Sequence, residues 1–127
     1  MKKILTSLLF IATIVSCKKE ETPVEKTYTI EYKLTCTPLA NTTLSGPITY
    51  ISKTSATASG TLSNNQWTAT EQSWTLKAGD KIGFRASIAN AASYQATLII
   101  DGGVRVFQSG GQTFPVTTNI VLDYTIE

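Results

Sequence analysis

The chain contains no histidine. That absence removes the usual general base near neutral pH, the usual imidazole metal ligand, and every Ser-His or Cys-His nucleophile pair. Cysteine is almost as scarce, with only Cys17 and Cys36. Two thiols cannot build a structural zinc site, and with Cys17 committed to the N-terminal signal described below, Cys36 has no partner for an internal disulfide. After residue 17 no segment carries a sustained helical period of apolar residues. A charge excess is missing too: without residues 1–16, nine basic residues stand against nine acidic ones. Nucleic-acid binding therefore has no electrostatic support. Gly102 and Gly103 precede no helix that could offer its N-terminus to a phosphate, and no cofactor is expected.

What the chain does have begins at its N-terminus. Met1, Lys2 and Lys3 form a basic start, and residues 4–15 form an apolar run. The run is shorter than the ~20 residues needed to cross ~30 Å of hydrocarbon, so residues 1–16 read as a signal peptide rather than an anchor helix. Ile14, Val15, Ser16 and Cys17 resemble the lipobox of bacterial lipoproteins, with Ile14 where that family usually has Leu. The resemblance implies cleavage before Cys17 and lipidation of its sulfur. Residues 17–26 then read as a charged tether, unable to bury a core. Within it Lys18, Lys19, Glu20 and Glu21 resemble the export signal of Bacteroidetes lipoproteins, a lysine followed by two acidic residues. Lys19, Glu20 and Glu21 thereby imply display on the outer face of the outer membrane, with the periplasmic face as the alternative. Several acyl chains at Cys17 would hold the protein stably, since one chain binds only marginally at ~0.8 kcal/mol per buried CH₂.

From Thr27 the pattern has period two, the signature of strands whose side chains alternate between faces. Tyr28, Ile30, Tyr32, Leu34 and Cys36 share one phase, which makes Cys36 a buried small hydrophobe rather than a reactive thiol. Further strands are predicted over 48–51, 54–61, 67–76, 82–88, 94–100, 104–107 and 116–126. In the strand over 67–76 Trp67 and Ala69 lie on one parity and Trp74 and Leu76 on the other, so a bulge is expected near residues 71–73. Asp101 and Gly102 between two apolar runs are a strong hairpin signal. Seven to eight short strands over residues 27–127 predict an all-β domain, an antiparallel immunoglobulin-like β-sandwich, with a small closed barrel as the alternative.

The order of Ile48, Thr49 and Tyr50, then Trp74 to Leu76, the turn at Gly79 and Asp80, and the run from Leu98 to Gly102 with Val104 adds a likeness. It is similar to the mycobacterial small membrane proteins that accompany lipid exporters, themselves small exported β-sandwiches. Those carry a transmembrane helix and a cysteine pair, neither of which stands here, so the likeness supports the fold more than any partner.

For chemistry the domain offers Glu31, Glu71, Asp80, Asp101 and Asp123. Glu31 and Asp123 fall on polar strand faces, and Asp80 and Asp101 are turn residues, so a glycosidase-type pair is not indicated. Calcium has no loop of recurring acidic residues to hold it, and no metal site is expected. Aromatic side chains remain as candidate contacts. With Trp74 packed beside Leu76, Trp67 on the other parity is expected to be exposed and to touch a ligand. The expectation is a lipid-anchored, non-enzymatic binding or adhesion module for a glycan or protein. An accessory subunit of an envelope transport or assembly complex is the alternative, and a small hydrolase ranks third. Replacing Cys17 by Ala should abolish acylation and release the protein from membranes. Mass spectrometry of the native N-terminus checks this, and an unmodified residue 17 in the unaltered protein would contradict it.

Overall fold

A computed structural model describes residues 21–127. The signal peptide over 1–16 and the expected roles of Cys17, Lys19 and Glu20 lie outside the described residues, while Glu21 is exposed and belongs to no strand. Eight strands follow: β1 (Glu25–Pro38), β2 (Ile48–Tyr50), β3 (Ala58–Gly60), β4 (Gln66–Lys77), β5 (Lys81–Ala89), β6 (Ala91–Ile100), β7 (Gly103–Gly111) and β8 (Thr117–Thr125). They form two four-stranded sheets, ordered β4-β1-β6-β7 and β3-β2-β5-β8, with every pairing antiparallel. We call these the first and second sheet. The domain is thus an antiparallel β-sandwich, and no helix occurs among the described residues.

The alternation along each strand decides which side chains meet between the sheets. Ile30, Tyr32, Leu34 and Cys36 of β1 point inward with Ala96, Leu98 and Ile100 of β6. Ile82, Phe84, Ala86 and Ile88 of β5, with Ile120 and Leu122 of β8, close the core from the second sheet. β1 begins at Glu25, two residues before the apolar alternation, because Glu25 and Lys26 still find backbone partners opposite Lys77 and Leu76. Conversely, only Ala58–Gly60 of the Ser/Thr/Ala-rich stretch forms a strand, and the rest is the loop that leads into it.

β4 contains the expected bulge. Tyr28 lies opposite Trp74 and Ile30 opposite Glu71, so two residues of β1 span three of β4. Ser73 takes up the extra length with a positive φ of 53°. Because the bulge inverts parity, Trp67 before it and Leu76 after it both point into the sandwich. The expectation of an exposed Trp67 is therefore wrong: the residue is 6% accessible, and Trp74 is the less buried of the two. One extra residue brings both phases onto one face; it does not leave one of them outside.

Trp67 joins an aromatic cluster that spans the two layers. Tyr32 stacks on Trp67 with ring centroids 6.3 Å apart. From the second sheet, Phe84 meets Trp67 edge-on at 5.2 Å and Tyr50 approaches it at 5.3 Å. Room for the indole exists because Gly60 of β3 has no side chain, since a β-carbon there would collide with Nε1 of Trp67. The turns are equally local. Asn64 and Asn65 both have positive φ, as do Asp101 and Gly102, which is the geometry that tight hairpins require. Asn90 alone, at φ 65°, passes the chain from the second sheet to the first, in place of the longer turn expected over 90–93.

Truncating Trp67 to Ala should cost roughly 3 to 5 kcal/mol, in the range for large aromatic core deletions, and the same change at half-buried Trp74 clearly less. Urea unfolding of both variants checks the order, and a larger loss at Trp74 would contradict it.

Candidate functional site

The outward side chains of the second sheet form rows across its strands. Register places Thr49 opposite Arg85 and Arg85 opposite Val121. Gly83 pairs with Asp123, and Ser87 with Asn119. Two depressions result, of about 290 Å³ around Gly83 and about 240 Å³ around Ser87, and both are lined by Thr49 and Arg85. Together they make one shallow trough across the sheet. Each lies below the ~300 Å³ at which pockets for drug-sized ligands begin, so the shape suits a chain laid along the face.

Gly83 makes the deeper end. A β-carbon there would run into the Leu122 carbonyl oxygen, so β5 can approach β8 closely only with glycine at this position. The wall beside it is the loop 51–57, which is pinned rather than draped. Ile51 N–H donates to the Gly83 carbonyl at 3.0 Å, and the Ile51 carbonyl accepts from the Tyr32 hydroxyl at 2.8 Å. Ser52, 7% accessible, then folds the loop on itself: its backbone N–H reaches Ser55 O at 2.9 Å and its Oγ accepts from Ser55 N–H at 3.0 Å. A phenol from the first sheet thus holds the lip of a trough on the outside of the second.

Arg85 and Asp123 form a loose ion pair at 3.7 Å with both side chains largely exposed. A pair this open contributes little to stability and leaves both groups available to a ligand. Further along, Ser87 Oγ donates to Asn119 Oδ1 at 2.9 Å. The remaining carboxylates are dispersed. Asp101 accepts from Thr29 N–H at 2.8 Å, tying the β6–β7 turn to β1, and Asp80 accepts from Lys77 N–H at 2.9 Å within its own turn. Glu31 pairs with Lys33 at 3.0 Å on the outer face of the first sheet. Among the described residues no three acidic or cysteine side chains converge as a metal site would require. Of the residues that sequence singles out, Asp123 and the aromatic Tyr50 line the trough, while Trp67 lies in the core beneath. Arg85, Thr49, Ser87 and Asn119 were not singled out by sequence as contacts, although the outward parity of Arg85, Ser87 and Asn119 was plain.

Comparison of the chain with protein families, curated proteins and solved structures finds no match.

Burial shapes the two titrating groups inside the sandwich. The Cys36 thiol, 3% accessible, is pushed up to about 11 by desolvation. Desolvation also raises the Tyr32 phenol, an effect partly opposed by its hydrogen bond with the Gly83 backbone. Both groups are neutral when protonated, so the folded state holds its protons to higher pH than the unfolded chain. Their stabilisation is complete below the unfolded values and lost as pH rises. For Cys36 the loss begins near the unfolded thiol value of about 8.5 and extends to about 11. The urea midpoint should therefore decline above about pH 8.5, and Cys36→Ala should delay the decline towards about pH 10, where unfolded tyrosine ionises. An identical alkaline profile for the two proteins would contradict this.

Proposed function

We propose that the protein is a lipid-anchored, surface-displayed module of the outer membrane that binds a glycan chain along the outer face of its second sheet, without transforming it. The observation that carries this reading is the trough: a floor opened by Gly83, a pinned lip at 51–57, and a row of polar side chains, Thr49, Arg85 and Ser87. Hydroxyl groups of a sugar are both donors and acceptors. Arg85 offers only donors, Asp123 only acceptors, Ser87 an acceptor because its proton is given to Asn119, and Thr49 either, so the row can satisfy a chain of hydroxyls in either sense. The trough also lies on a flank of the sandwich. The pole where β1 enters, beside the Asp101–Gly102 turn, is left to the tether. Protein ligands use the same groups less fully, because an extended peptide presents its polar atoms at alternating directions.

Immobilised neutral and acidic oligosaccharides, presented to the full chain, test the assignment. Arg85→Ala should weaken retention about tenfold or more, since hydrogen bonds to a charged group contribute roughly 1.5 to 3 kcal/mol. Thr49→Trp should fill the junction of the two depressions and abolish it. Retention that neither substitution alters, or no retention of any glycan, would overturn the reading.

A further inference from the structure

A sandwich of two open sheets has four edge strands, and each presents unpaired backbone groups to any other strand. Three of the four edges are blunted. β3 is only three residues long. β4 is broken by its bulge, and there Lys53 Nζ donates to the carbonyls of Gln72 and Ser73 at 3.4 and 3.0 Å. β7 changes register between Leu98 and Ile99, which leaves Arg105 bulged from the ladder. β8 has none of these devices. Its nine residues pair with β5 in unbroken register, and it contains no lysine, arginine or proline.

The direction of its free groups follows from β5. Ser87 N–H donates to Pro47 O, Ala89 N–H to Ser45 O, and Gly83 O accepts from Ile51 N–H. Odd residues of β5 therefore turn their backbone groups towards β2, and even residues turn theirs towards β8. In the antiparallel register of β5 with β8, the even residues of β8 answer them. Thr117, Asn119, Val121, Asp123 and Thr125 are left with N–H and C=O aimed outward, and among the described residues no backbone hydrogen bond reaches them from that side.

We infer that β8 pairs with β8 of a second copy of this chain, antiparallel about a two-fold axis at Val121. Val121 is the midpoint of Thr117–Thr125, so this register alone uses the whole strand, and all the outward groups meet outward groups. The side chains agree. Val121, 48% accessible, meets its own copy. Asn119 faces Asp123 of the other copy: its Oδ1 already accepts from Ser87, which leaves its amide N–H donors for that carboxylate. Thr117 faces Thr125. The contact is isologous and closes at two chains. It joins the two second sheets into one, with both troughs on the same face.

The test uses the full chain in detergent with Cys17→Ser, so that buried Cys36 is the only other thiol. Sedimentation should give the mass of two chains. Val121→Cys should oxidise to a disulfide-linked dimer, because facing residues of a hydrogen-bonded antiparallel pair lie ~5.5 Å apart, within disulfide range. Phe107→Cys on β7 should not. Val121→Pro removes only an outward N–H and should leave a folded monomer by circular dichroism. Should that variant fail to fold, Val121→Lys sets two like charges opposite each other and should give the monomer. A monomeric parent protein, equal cross-linking through position 107, or cross-linking of Val121→Cys in cells only to a different protein would overturn the inference, the last assigning the edge to another partner's strand.

Discussion

The contact on which the structure turns is the aromatic cluster between the sheets. Sheets in a sandwich stand ~10 Å apart, a gap that small aliphatic side chains do not fill alone in a domain of this size. Tyr32 and Trp67 from one layer and Tyr50 and Phe84 from the other fill it with rings in tilted and edge-on contact. The Tyr32 hydroxyl then passes through the second layer to the Ile51 carbonyl. Core and surface are coupled at that atom: what packs the interior also fixes the loop that walls the trough.

Two residues without side chains make that arrangement fit. Gly60 admits the indole of Trp67 under β3, and Gly83 lets β5 lie against β8 while hollowing the outer face above. The bulge in β4 is the third device, since it turns both tryptophan phases inward and twists the edge of the first sheet away from other strands. Each of these local irregularities sits beneath or beside a surface that is otherwise regular. The proposed recognition surface is therefore built mainly on strands, with the pinned loop 51–57 as one wall, and strand positions are held more firmly than those of free loops.

Much of this was legible in the chain. The alternation from Tyr28 to Cys36 places the same residues in the core that the structure does. The parity break between Trp67 and Trp74 located the bulge, and Asp101-Gly102 located the hairpin. The error over Trp67 came from applying one parity to a strand that has two. The trough was invisible for a different reason. Arg85 and Asp123 are 38 positions apart in sequence, and periodicity reports the face of a strand without reporting its neighbour. β8 reaches β5 only after the β6-β7 hairpin has been laid on the other sheet, an order that no local signal encodes.

The burial of Trp67 in that cluster is the central claim, and its indole reports on it directly. With Trp74 replaced by Phe, the protein holds a single tryptophan. Its emission should be blue-shifted and barely quenched by iodide until the protein is unfolded. Red-shifted emission quenched as readily as a free indole in the folded protein would place Trp67 outside and contradict the packing of the two sheets around it.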